Sequence, residues 1–128
     1  MERTALEAEL QTSEKIGIID LGSNSARLVI VRLFGGGYFM VEDELKESVR
    51  LGQDMDRDGF LKPQRVAETN KTLKMFKRLC DASGVTRIIA VATAAVRRAK
   101  NQRSFLDEIQ ATCGVRVEVP SEEEEASL

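Results

Sequence analysis

The stretch Ile18-Ile19-Asp20-Leu21-Gly22-Ser23-Asn24-Ser25-Ala26-Arg27-Leu28 places an acid, a glycine, hydroxyl and amide side chains and an arginine within eight positions. An aspartate at the end of a buried strand can hold a metal ion directly or through water. The turn after it can offer backbone N–H groups and Ser/Asn donors to an oxyanion. Phosphate is the natural ligand of such a set. The same residues also suit an ordinary hairpin turn, with Gly22 at positive φ and Asn24 and Ser25 satisfying local backbone groups.

Two further segments carry reactive side chains. Ala92-Thr93-Ala94-Ala95-Val96-Arg97-Arg98-Ala99-Lys100-Asn101 follows an apolar run. In open α/β sheets ligands collect outside the carboxyl ends of strands, so Thr93 and Arg97 are placed to join the site that Asp20 begins. Arg97 would grip a phosphate oxygen through a charge-assisted fork, whereas Arg98, Lys100 and Arg103 read as a solvated basic turn. The tail Ser121-Glu122-Glu123-Glu124-Glu125-Ala126 has the Ser-x-x-Glu pattern of a capping box and an acidic first turn that suits the helix dipole. A glutamate held near several phosphates would also bind its proton more tightly, as a base working near neutral pH requires.

Absent residue types narrow the chemistry. The chain has no histidine, which excludes a Ser-His-Asp triad and an imidazole metal site and leaves acid–base work to carboxylates. With one tyrosine, no tryptophan and no basic stripe interleaved with aromatics, no stacking surface for single-stranded nucleic acid is expected.

The run Asp20-x-Gly22-Ser23-Asn24-Ser25-x-Arg27 resembles the first phosphate loop of the exopolyphosphatase and guanosine pentaphosphate phosphatase family, a branch of the actin, heat-shock ATPase and sugar kinase superfamily. The segment around Thr93, Arg97, Ala99 and Asn101 is similar to a second family segment, with Ala94 in place of its usual serine. Glu124 and Glu125 fall on the family's Glu-Glu-Ala, and Glu122 replaces a glycine. The resemblance implies hydrolysis of a phosphoanhydride with Mg²⁺ at Asp20. It places phosphate on Gly22, Ser23, Asn24, Ser25, Arg27 and Thr93, with Arg97 neutralising charge and Glu124 or Glu125 orienting water. Substrates would be inorganic polyphosphate or guanosine pentaphosphate. Neighbours on a helix face about 100° apart, so spacing does not choose between the two glutamates.

The elements that must position these groups follow from patterning. At 128 residues, with 42% hydrophobic and 31% charged residues and a net charge of -2, the chain suits one domain with an ordinary surface. No apolar stretch is long enough to span a bilayer and no signal-peptide core is visible, so a cytoplasmic location is expected, with no membrane or nucleic-acid partner. Residues 1–15 read as a partly ordered leader and 16–128 as the domain. Ile16–Asp20, Ala26–Leu33 and Tyr38–Lys46 read as an antiparallel meander, with Phe39, Val41 and Leu45 alternating in the third strand. Residues 50–59 form a loop, Pro63 opens a helix to about Ala82, and Arg87–Ala92 suits a strand buried on both faces. Asn101 can cap a helix through Cys113, followed by a strand from Val115 to Val119. Cys80 and Cys113 lack metal-like spacing and read as buried thiols.

This order is what the resemblance implies for one lobe of the actin-like ATPase (ribonuclease H-like) fold: a five-stranded mixed sheet, its first three strands antiparallel, with helices on its faces. The family's second phosphate loop, Asp-x-Gly-Gly-Gly-Ser-x-Glu, is absent from the sequence. The chain is therefore expected to be a first lobe without its C-terminal partner, binding phosphate weakly and turning over little. Two other readings stand beside it. One is the first lobe of an ATP-binding, sugar kinase-like protein. The other is a non-catalytic module that senses phosphate or guanosine tetraphosphate, or forms a homodimer through its exposed inner face.

Overall fold

Glu14–Leu21 (β1), Ser25–Leu33 (β2) and Phe39–Ser48 (β3) form the expected meander, with Leu21 opposite Ala26 and Ser25 opposite Ser48. This computed structural model describes residues 4–5, 13–55 and 57–126, the Glu125 side chain excepted. Most of the expected leader lies outside the described residues, and Glu14 and Lys15 already belong to β1. Pro63–Ala82 (α1) leads to Arg87–Ala92 (β4), which runs parallel to β1 with Asp20 beside Val91. A short helix, Ala94–Arg98 (α2), precedes Gln102–Cys113 (α3), and Val117–Glu118 (β5) adds to the far edge before Glu122–Ala126 (α4). The sheet has five strands in the order β3-β2-β1-β4-β5.

The helix boundaries have local causes. Pro63 at the first turn supplies a helical φ where no N–H partner is needed, and Gly84 at φ 80° takes the left-handed conformation that ends α1. Gly114 at φ 70° ends α3, its N–H donating to the Gln110 carbonyl at 3.0 Å. Asn101 precedes α3 but makes no side-chain cap. Its Oδ1 accepts from Leu61 N at 2.9 Å and its Nδ2 donates to Leu61 O at 3.1 Å, tying the segment before α1 to the start of α3. A two-sided bond to the N–H and C=O of one residue satisfies more of the amide than a single cap would.

Both parallel crossovers, β1 to β4 and β4 to β5, step in the same direction, so right-handedness puts their helices on one face. Ile19, Leu21, Leu28 and Ile30 of the sheet pack there with Leu73, Phe76 and Cys80 of α1 and Phe105 and Ile109 of α3. Each large side chain buried in this layer contributes about 1.5–3 kcal/mol. The opposite face is open around Ile18, 37% exposed, and Ile89, 42% exposed, while Ile16 and Val31, paired in register on that same face, are buried. β4 is therefore buried on one face rather than two, because no described helix packs over Ile89. β3 is an edge strand, and Phe39 and Val41, whose alternation suggested core positions, are 63% and 51% exposed. The expected strand from Val115 to Val119 shrinks to two residues, since only Ala90 and Val91 of β4 offer it partners. Cys80 and Cys113 are buried free thiols. No helix of the described residues is long and apolar enough to cross a membrane.

Candidate functional site

The turn between β1 and β2 is tight. Gly22 N donates to Ser25 O at 2.9 Å, leaving Ser23 and Asn24 at the tip. Gly22 does not adopt positive φ, contrary to the simple hairpin reading. Its missing side chain matters for another reason: a Cβ there would stand 3.4 Å from the Ser25 carbonyl oxygen. Two carbonyls at the tip point into the segment after β3. Asn24 O accepts from Val49 N at 3.0 Å and Arg50 N at 2.8 Å, and Ser23 O accepts from Gly52 N at 2.9 Å.

This packing creates a cleft of about 470 Å³, its lining including Ser23, Asn24, Ser48, Arg50, Gln53 and Arg98. Polar residues of the turn and two arginines share its lining, a composition suited to an oxyanion. Arg50 does not stand out by residue type, but the meander determines its position. Where β2 begins, antiparallel β3 ends, so whatever follows Ser48 must lie against the 22–25 turn. Arg98, expected to be merely solvated, is exposed and lines the cleft from the end of α2.

The other anticipated residues fall into separate groups. Asp20 and Arg27 are opposite each other in register, with Lys46 beyond Arg27 on β3 and Val91 beyond Asp20 on β4. This row lies near the carboxyl end of β1, and none of its four residues lines the cleft. Arg27 is ion-paired with Glu44, both about half exposed. Asp20 is exposed. Thr93 and Arg97 are half-buried at the β4–α2 junction. Thr93 N donates to Leu21 O at 3.2 Å and its carbonyl accepts from Arg97 N at 2.9 Å, so this junction is fastened to β1 directly before the loop. Thr93 and Arg97 do not line the cleft. Ser25 closes the turn.

Glu124 is exposed and makes the capping box: its N–H donates to Ser121 Oγ at 3.1 Å and its Oε1 accepts from Ser121 N at 3.3 Å. The side chain of Glu125 lies outside the described residues. Among the described residues no three His, Cys, Asp or Glu side chains cluster to hold a metal. A single exposed carboxylate at Asp20 still fits Mg²⁺, which keeps several waters and is bound by one or two carboxylates together with substrate phosphates.

A mixed sheet in the order β3-β2-β1-β4-β5 that presents its first hairpin turn at the carboxyl end of the parallel strands is one lobe of the actin-like ATPase, ribonuclease H-like fold. The chain belongs to the Ppx/GppA phosphatase family, whose family model matches residues 12–128. It is 28% identical over 114 residues to exopolyphosphatase 1 of Mycobacterium tuberculosis, covering 89% of this chain and 33% of that protein. With exopolyphosphatase 1 of Mycobacterium leprae it shares 29% over 105 residues, 82% of this chain and 31% of the relative. Among solved structures, the Ppx/GppA family member of Aquifex aeolicus superposes with a TM-score of 0.84 at 37% identity, over 88% of this chain and 37% of that one. An exopolyphosphatase from Cytophaga hutchinsonii gives 0.83 at 30% identity, over 89% of this chain and 36% of the other. The chain thus spans about a third of the length of the relatives it matches.

Proposed function

We propose that this chain is the first lobe of a phosphoanhydride hydrolase that removes the terminal phosphoryl group of inorganic polyphosphate or guanosine pentaphosphate. The observation that carries the reading is the convergence of the Ser23–Asn24 tip with Arg50 and Arg98 on one cleft. Family membership and the exopolyphosphatase relatives support the same chemistry.

In this mechanism Gly22, its N–H donating to Ser25 O, shapes the turn, Ser23, Asn24 and Ser25 hold phosphate oxygens through N–H, hydroxyl and amide donors, and Thr93 adds a hydroxyl from the neighbouring strand end. Arg27 adds a guanidinium to the phosphate-binding set, and Arg97 neutralises charge on the phosphoryl group being transferred. Asp20 is the residue that would hold Mg²⁺, which when bound offsets the charge that builds on the phosphoryl oxygens. Glu124 or Glu125 orients a water and accepts its proton as the water oxygen bonds to phosphorus. The bridging P–O bond then breaks and the shortened chain departs in line. No covalent intermediate on the protein is required. A site shared between two lobes leaves one lobe with weak phosphate binding and little turnover.

The test is Mg²⁺-dependent phosphate release from long-chain polyphosphate by this chain, with and without the remaining length of a relative supplied as a second lobe. Release that needs both pieces and disappears on joint Glu124→Gln and Glu125→Gln substitution is the expected result. Binding of adenosine triphosphate through its base, with no effect of polyphosphate, would instead favour the sugar kinase-like reading.

A second reading rests on the open sheet face, where Ile18 and Ile89 are exposed side by side in register. Two copies could cover these faces. Sedimentation that stays monomeric across a wide concentration range would remove that version.

A further inference from the structure

Ser48 is the residue shared by two neighbouring cavities, the first being the cleft at the loop tip. The second is a groove of about 480 Å³ that runs along the outer side of α1. On that wall stand Lys71, Lys74 and Arg78. Their spacing of three and seven residues puts them on one helical face, spread over about 10 Å of axis. None of the three makes an ion pair with another described residue, whereas Lys77 on the adjoining face is paired with Asp81 at 2.6 Å.

Two acids border the same groove, Glu47 and Glu68. Glu68 is joined to Arg65 at 3.3 Å, which leaves Glu47 as the carboxylate with no ion pair to another described residue. Three cations therefore face one uncompensated acid. The contrast with a net charge of -2 for the chain shows that cations are concentrated here rather than spread evenly. A single phosphate would need one or two of them. A row of separated cations that continues from a pair of arginines at a loop tip matches a linear ligand with repeated charge.

We infer that the α1 groove is a distal subsite for linear inorganic polyphosphate, which leaves the Ser23–Asn24 tip, passes Ser48 and lies along Lys71, Lys74 and Arg78. This rests on the reading of the loop cleft as a phosphate site and adds chain-length preference to it. A short phosphate chain would occupy the first cleft alone. A long one would gain the helix contacts.

The test compares tripolyphosphate with long-chain polyphosphate, both titrated into the chain while binding is followed by calorimetry. Joint substitution Lys71→Gln, Lys74→Gln and Arg78→Gln keeps good helix formers on α1. It should weaken long-chain binding about tenfold or more and flatten its salt dependence, while tripolyphosphate affinity changes by less than about twofold. Glu47→Gln should strengthen long-chain binding about twofold or more, a gain that loss of folding cannot mimic. Unchanged long-chain affinity in the triple variant, with tripolyphosphate still bound, would overturn the distal subsite and leave the loop cleft standing. Failure of the unaltered chain to bind either length would sink the reading of the cleft and the subsite with it. Equally tight binding of a single-stranded oligonucleotide, lost in the same triple variant, would overturn the assignment to polyphosphate.

Discussion

Gly52 donates its backbone N–H to the Ser23 carbonyl at 2.9 Å, and a Cβ built on Gly52 would stand 3.3 Å from both the Ser23 and the Ala95 Cβ atoms. Three segments that come from different parts of the sequence meet at this one position. The absent side chain lets the loop after β3 settle against the turn between β1 and β2 and the first residues of α2. Gly52→Ala should push these apart by a few tenths of an ångström, lowering tripolyphosphate affinity about tenfold and costing about 1 kcal/mol, a few degrees in Tm. Gly35→Ala, where an added Cβ meets nothing within 4 Å, is the matched control. Unchanged affinity in Gly52→Ala would show that loop spacing does not set the cleft.

Arg50 sits at φ 49° and Asp54 at φ 64°, a region that non-glycine residues occupy at a cost. Strain next to a binding cleft is often retained for what the side chain does there. Arg50→Gly should therefore move two properties in opposite directions: stability holds or rises by up to about 1 kcal/mol, while tripolyphosphate affinity falls. Asp54→Gly, outside the cleft lining, should relieve strain without that loss of affinity. Thermal melts and calorimetry on the two variants separate the effects. Equal affinity losses would mean that loop conformation, rather than the Arg50 guanidinium, holds the anion.

The meander, α1 and the apolar side of α3 were legible because periodicity reports burial directly: Val66, Leu73, Phe76 and Cys80 recur at helical spacing and are all buried. β4 was placed correctly but its surroundings were not, since Ile88, Ile89 and Val91 look the same in sequence whether one face is covered or both. The short helix α2 was hidden in a segment read for its chemistry, and five residues give periodicity too little to work on. At the site, the turn residues stood out by type, while Arg50 could be found only by asking which loop the antiparallel register brings beside them. Asn101 shows the converse failure. A residue well suited to a cap can find a better two-sided partner in Leu61, far away in sequence.

Gly17 has a packing reason of its own. A Cβ there would lie 2.8 Å from Cys80 Sγ, closer than two such atoms can approach, so β1 and α1 meet through this glycine. Gly17→Ala should cost about 1–3 kcal/mol. Cys80→Ala in the same chain should recover part of that loss, a coupling that a double-mutant cycle reads from chemical denaturation. Additive losses would show that the two positions do not press on each other. Burial, with a smaller contribution from Asp81, also pushes the Cys80 thiol up, so its alkylation should be slow until the protein unfolds.

Glu42 is the extra residue at the β2–β3 register shift and joins Arg32 and Lys15, the latter also donating to Ser83 O at 2.9 Å beyond the end of α1. The hydrogen bond from Arg32, then that from Lys15, holds the Glu42 carboxyl below its ordinary range. A carboxyl with a lowered folded value stabilises the fold above its unfolded value, about 4.3, and loses that contribution as pH falls through the lowered one. Glu42→Gln should therefore destabilise the chain at pH 7 by an amount that stays level at higher pH, and the two proteins should converge as the pH falls into acid. Denaturation midpoints measured from pH 7 down to pH 3 check this. A gap between them that is constant across that range would assign the effect to packing instead.

Glu124 has two possible duties, and its capping geometry allows them to be separated. Its carboxylate accepts from Ser121 N while its own N–H donates to Ser121 Oγ, so it closes the start of α4 whatever else it does. Glutamine can make the same reciprocal bonds, since the acceptor oxygen is kept and only the charge is lost. Ser121→Ala removes one half of the box and leaves the carboxylate, at a cost of about 1 kcal/mol to the local helix. If Glu124 is the base, Glu124→Gln should abolish phosphate release in the two-piece assay while helix content holds, and Ser121→Ala should leave most of it. If the cap is its only duty, Glu124→Gln should be nearly silent and the loss of release should follow Glu125→Gln. The carboxylate that accepts the proton from water is then the neighbour, about 100° further round the helix, and Glu124 serves to present it.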